Sequence, residues 1–175
     1  MIRRTIVISL FAVLGTSTVV VATPGFNTIL NVILATGTNV GTLSEGVRVD
    51  GNVAGEDNAH HGNHWQVMLT TSGDSDFYVQ DAIVGPGGFS GWHSHPGLLL
   101  VTVKSGTIDW YDANCVKHVR NTGDSFTEND ENHQLVNSGS ENTELLIAYI
   151  IKRGAPRRVD LPQAPGCAAA AGIPQ

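Results

Sequence analysis

The chemistry in this sequence gathers around histidine. In Gly-Phe-Ser-Gly-Trp-His-Ser-His-Pro-Gly, residues 88–97, His93 and His95 stand two apart. On a strand, where alternate side chains share a face, that spacing points both imidazoles the same way. Two converging ring nitrogens make half of a metal site, so a third ligand must come from elsewhere. His133 is the candidate: it opens a segment in which His133, Leu135 and Asn137 alternate, and in a closed barrel the inner faces of such strands meet. His93, His95 and His133 are therefore the expected ligands of one divalent transition metal, drawn from Fe, Zn, Mn, Ni or Cu. Neutral imidazole suits such ions, and three protein ligands leave positions for water or substrate. The residues leave one alternative open, a metal-free cavity lined by three polar rings. Against it stands the cost of burying an imidazole without a partner, about 1–3 kcal/mol each.

Other groups carry less. His60, His61 and His64 lie in NVAGEDNAHHGNH, residues 52–64. His60 and His64 have the spacing of a zinc protease helix, but His61 stands where its general base belongs and Gly62-Asn63 disfavours a helix. An exposed loop is expected there. Glu128, Asp130 and Glu131 form an acidic run near His133, read as a solvated turn. Glu128, Asn137 and Trp110 are the candidates to hold the imidazole rings from behind. Trp92 and Trp110 are read as core, with stacking on a planar ligand as the alternative. No Ser-His-Asp arrangement, nucleophile elbow or phosphate loop occurs, which leaves hydrolase and nucleotide readings without support. No catalytic residue beyond the metal ligands is assigned.

The elements that must position these groups are strands. Trp65 to Thr70, Phe77 to Val84, Leu98 to Val103, Thr107 to Asp112, Cys115 to Val119, His133 to Asn137 and Leu145 to Ile151 read as β, separated by turns such as Gly85-Pro86-Gly87-Gly88, Ser105-Gly106 and Thr122-Gly123-Asp124. Strand-and-turn spacing without helical periods predicts an all-β antiparallel barrel or sandwich. Four segments are expected. Residues 1–22 are a signal peptide, residues 23–64 N-terminal strands and an exposed loop, residues 65–152 the barrel core, and residues 153–175 an extended C-terminal tail with a solvated basic edge at Lys152, Arg153, Arg157 and Arg158.

The 175 residues, 41% hydrophobic, suffice for one packed domain. The leader reading rests on Arg3 and Arg4, the apolar run from Ile6 to Leu14 and the small-residue end Val20-Val21-Ala22. It predicts a secreted or periplasmic protein with no membrane contact after cleavage. An uncleaved N-terminal anchor is the alternative, since the apolar stretch is close to spanning length. The formal net charge is −6 and becomes about −8 once the leader is removed. Such a surface repels phosphate backbones and excludes nucleic acid as a partner. The two cysteines, Cys115 and Cys167, form an even pair, and in an oxidising compartment they are expected to bond and pin the tail to the barrel.

Gly87, five residues, His93-Ser94-His95, then Leu99 and Gly106 together resemble the first cupin motif. Gly123, His133 and Asn137 resemble the second. The likeness covers roughly Val79 to Ile151 and implies a double-stranded β-helix, the cupin form of the antiparallel barrel or jelly roll. It also implies a small-molecule ligand, dioxygenase-like or isomerase-like chemistry, and a homodimer built by strand pairing. A metal-free, non-enzymatic ligand-binding cupin is the competing expectation. The position where the family usually places an acidic ligand is Leu99, and neither Pro96 nor Leu100 replaces it. That implies a carboxylate-free, three-histidine site similar to those of thiol dioxygenases of the cupin fold. The second motif is one residue short, with Asn129 and Glu131 where the family prefers Pro and Gly.

Overall fold

The computed structural model describes residues 23–50 and 64–175. The expected leader and the loop histidines His60 and His61 lie outside the described residues. In chain order the elements are β1 (Phe26–Asn39), β2 (Ser44–Asp50), β3 (His64–Thr70), β4 (Ser75–Phe89), β5 (His93–Ser94), β6 (Gly97–Ser105) and β7 (Thr107–Tyr111). They continue with β8 (Lys117–Asn121), β9 (Ser125–Glu128), β10 (Gln134–Val136), β11 (Thr143–Lys152), β12 (Val159–Asp160) and the short helix α1 (Gly166–Ala170).

All pairings are antiparallel, and the main sheet runs β8-β7-β10-β4-β11-β6-β9, with β1 added on β4. The fold is the double-stranded β-helix, a nearly closed all-β barrel. Period-2 patterning shows why. On β11, Thr143, Leu145, Ile147, Tyr149 and Ile151 are buried while the residues between them are half-buried. On β6, Leu99, Val101 and Val103 are buried and their neighbours face outward. One face of each strand therefore joins a core with Ala82, Val84, Ile108 and Leu135. Burying an aliphatic side chain of this size stabilises by roughly 1.5–3 kcal/mol.

The expected segments are redrawn in two places. The break at residues 64 and 65 does not divide the fold: β1 belongs to the barrel sheet, whereas β3 pairs, among the described residues, only with β2. The first of the expected N-terminal strands is long, running from Phe26 to Asn39, because β1 is templated along almost the whole length of β4.

Residues 153–175 are not an extended free tail. Val159 and Asp160 pair with Ser94 and His93, and the Cys115–Cys167 disulfide is present. Ala168 and Ile173 pack with Trp92 and Val136 in a second buried cluster. Low-complexity composition conceals this, since the tail's apolar contacts come from a few scattered side chains, Leu161, Ala164, Ala168 and Ile173, and the rest follows from the covalent link and the β12 pairing. Among the described residues no helix is long and apolar enough to cross a membrane.

Candidate metal centre

The centre is assembled by backbone pairing before any side chain acts. His93 N–H donates to His133 O at 3.0 Å and His133 N–H returns the bond to His93 O at 2.8 Å, a reciprocal bridge that sets the two residues opposite each other. His95 N–H donates to Asn129 O at 2.9 Å, which ties the second imidazole to the turn that precedes His133. Glu128 ends β9 and lies directly across from Leu99 on β6. His93, His95, Glu128 and His133 are 4%, 3%, 3% and 1% exposed, so all four polar groups face the interior.

Each ring is oriented by a main-chain carbonyl. His93 Nδ1 donates to Gly91 O at 2.8 Å, His95 Nδ1 to Arg157 O at 2.6 Å, and His133 Nδ1 to Glu131 O at 2.8 Å. A carbonyl can only accept, so each Nδ1 carries the hydrogen and each Nε2 keeps its lone pair. Gly91 is required for its share: it sits at φ +74°, and a Cβ there would meet Thr23 O at 2.4 Å.

The inward atoms lack partners. Glu128 Oε2 lies 3.4 Å from His95 Nε2 and Oε1 lies 3.4 Å from His133 Nε2. At that separation and alignment His95 Nε2, His133 Nε2 and Glu128 Oε1 have no hydrogen-bond partner although they are buried. One ligand atom from each of the four residues falls within 4.8 Å of the others. Three lone-pair nitrogens and a carboxylate, with His95 Nε2, His133 Nε2 and Glu128 Oε1 buried and unpartnered, are the donor set that a divalent transition metal takes up. The carbonyls behind the rings are the usual outer support.

The electrostatics divide the rings. Burial, followed by the neighbouring His133 and Arg158, holds His93 well below the ordinary histidine range and keeps it in the neutral form that ligates. Burial disfavours a charged His133, but the Glu128 carboxylate overrides it and the net shift is upward. Glu128 is pushed up by burial and pulled down further by His133, so its carboxyl stands well below the usual carboxylate range and is ionised.

Beside the cluster lies a cavity of about 260 Å³. Ala82, Val84, Leu135, Leu145 and Ile147 give it an apolar wall, and Gln80, Tyr149, Arg157 and Arg158 give it polar groups. The Tyr149 hydroxyl donates to Gln80 Oε1 at 3.0 Å, and burial followed by the Glu128 charge pushes its pKa up to about 12.

The structure thus brings His93, His95 and His133 together and corrects the expected surroundings. The site is not carboxylate-free, because Glu128 leaves the acidic run and enters the cluster, while Asp130 and Glu131 remain exposed in the turn. Asn137 holds no ring: its amide bonds to Val84 O and Glu141 O, bracing a turn. Trp110 packs with its ring centroid 6.2 Å from that of His133, and Trp92 is fully buried core. His64 begins β3. Arg157, expected on a solvated basic edge, supplies both a carbonyl to His95 and a guanidinium to the cavity. Gly91, Arg157 and Glu131 act on the rings through the main chain, and no side-chain type signals that.

The barrel resembles solved structures over about half of the chain. A conserved double-stranded β-helix protein from Klebsiella pneumoniae is 23% identical, with 49% of this chain and 75% of that one covered at a TM-score of 0.43. The polyketide cyclase RemF from Streptomyces resistomycificus is 19% identical, covering 54% and 68% at a TM-score of 0.43. A predicted oxalate decarboxylase from Thermotoga maritima is 20% identical, covering 46% and 84% at a TM-score of 0.39. No curated protein matches the chain. Residues 80–149 match the cupin domain family, and this stretch, which carries all four residues of the cluster, is a cupin domain.

Proposed function

We propose that this protein is an exported, metal-dependent cupin enzyme of dioxygenase-like type, whose His93, His95, Glu128 and His133 hold one divalent transition metal against a small-molecule cavity. The observation that carries the reading is the set of buried, unpartnered ligand atoms, His95 Nε2, His133 Nε2 and Glu128 Oε1, behind rings whose tautomers are already fixed by carbonyls. The metal would bind and activate substrate oxygen functions, or dioxygen, in a site from which bulk water is excluded.

Of the two reaction types, the lining favours the dioxygenase-like one. Isomerisation by proton transfer needs a base poised near neutrality. Among the described residues lining the cavity, the titratable groups outside the ligand set are Tyr149, whose proton is held to about pH 12, and the permanently charged Arg157 and Arg158. None of them can shuttle a proton between substrate atoms at neutral pH.

Elemental analysis of untagged protein tests the reading. About one equivalent of metal is expected, with loss in both His93→Ala and His133→Ala. Metal-free protein that still binds small ligands would establish the non-enzymatic alternative instead. Export is supported by the basic and apolar residues 1–22 and by the disulfide. Its test is the N-terminus of protein recovered outside the cytoplasm, expected at Thr23. A second copy of the chain is the partner favoured by β1, which among the described residues pairs only with β4 and exposes Ile29, Val32 and Leu34. Sedimentation at several concentrations should show a dimer, and a monomer throughout removes that partner.

A further inference from the structure

We infer that the cavity takes a small carboxylate anion, gripped by the Arg157 guanidinium beside the histidine–glutamate cluster. The inference rests on the reading of that cavity as the substrate site. It starts from a charge without a counterion. Arg157 is half-buried, donates from Nη1 to the neutral Gln80 Oε1 at 2.6 Å and stacks over the Tyr78 ring at 5.7 Å. It has no carboxylate partner among the described residues. Removing a cation from water without an anion is costly, and an anionic ligand offsets that cost at the moment it binds.

Arg158 differs in this respect. Its Nε pairs with Asp160 and its Nη2 donates to Ser90 O at 2.7 Å, so it adds positive field but its edge is committed. The side-chain partners of the Arg157 guanidinium, Gln80, Tyr149 and Tyr78, are all neutral, and the paired N–H groups of a guanidinium match the two oxygens of a carboxylate. Among the described residues, the only carboxylate lining the cavity is Glu128, which belongs to the ligand set. In a chain of net charge −6, two arginines therefore converge on a single small cavity with no free acid to repel an anion. The volume of about 260 Å³ limits the ligand to a few carbons.

The arrangement also joins recognition to the metal ligands within one residue. The Arg157 carbonyl fixes the His95 ring while its guanidinium receives the anion, so a ligand that settles the side chain also settles the main chain behind His95.

Calorimetric titration of metal-loaded and metal-free protein with dicarboxylates from malonate to glutarate, each against its neutral diamide, tests the inference. The acid is expected to bind on the order of 10–100-fold more tightly than the diamide in both forms. Arg157→Gln should remove at least about tenfold of that preference. Arg153→Gln, whose guanidinium pairs with Asp74 away from the cavity, should leave it unchanged. A measurement independent of any variant is the salt dependence: acid binding should weaken as ionic strength rises while diamide binding stays constant. Equal affinity for acid and diamide, or a preference that survives Arg157→Gln, overturns the inference. Anion preference in a protein that takes up no metal leaves it standing and removes the metal reading instead.

Discussion

At the scale of single residues, the decisive feature is a carboxylate on the opposite strand from where the family pattern expects it. Leu99 holds the position of the usual acidic ligand, and Glu128 is its directly paired neighbour. Residues opposite each other in an antiparallel pair point to the same face, with Cβ atoms about 4.5–5.5 Å apart, so one carboxylate can serve the same cluster from either strand. Glu128→Leu is therefore expected to lose bound metal, and Leu99→Glu added to that variant should restore part of it, as read by elemental analysis. A single variant that keeps its metal would show that Glu128 is no ligand. Gly91 gives a second expectation. Gly91→Ala forces a Cβ against Thr23 O and displaces the carbonyl behind His93. Metal affinity should drop about 10–100-fold, while circular dichroism still reports the barrel. The histidines were legible in the sequence because their spacing of two is the strand period itself. Glu128 was legible only as an outer support for the rings, because its place in the cluster depends on a cross-strand register that no local pattern encodes.

At the scale of elements, alternation made β6 and β11 readable and left β1 obscure. β11 carries a clean inward and outward rhythm. Most of β1 is exposed, so its strand character comes from pairing with β4 rather than from burial. The ends of β1, β4 and β11 are held by two carboxylates. Asp74 accepts from Gly41 N–H at 2.7 Å and from Arg153 at 3.0 Å. Asp76 accepts from Thr38 Oγ1 at 2.8 Å and Gly154 N–H at 3.0 Å. The Gly41 and Gly154 amides are the leading causes that hold these carboxyls below their ordinary range. A depressed carboxyl pKa contributes stability that is present in full above the unfolded value, about 3.9. That contribution is lost as pH falls below this value and through the folded one. The urea midpoint of the wild type should therefore decline through this acid window. Asp74→Asn with Asp76→Asn should lower the midpoint at pH 7 and flatten the acid decline, and a decline equally steep in the double variant would rule out these two groups as its source.

At the scale of the whole molecule, the C-terminal segment acts as a clamp on the histidine–glutamate cluster, and the disulfide is what closes it. The chain leaves the barrel after β11, lays Arg157 behind His95 and pairs β12 with the strand that carries His93. It then returns through α1 to Cys115. Bridging cysteines 52 residues apart should contribute about 4 kcal/mol, chiefly by restricting the unfolded chain. The segment's own core, Trp92, Val136, Ala168 and Ile173, is small beside that of the barrel, so without the link local opening of the tail should cost far less than global unfolding. Opening removes the carbonyl that orients His95 and the strand pairing beside His93 at the same time. Cys115→Ser with Cys167→Ser is therefore expected to keep the far-ultraviolet signature of the barrel, to expose Trp92 to fluorescence quenchers, and to release metal to a chelator at least about tenfold faster. Wild-type protein treated with a reductant should behave in the same way. Unchanged metal release in a variant whose Trp92 has become accessible would separate the tail from the centre and assign the disulfide to stability alone. Were the chain exported as proposed, it would meet oxidising surroundings at the point where it folds, and the same covalent step that completes the fold would fix the second imidazole in place.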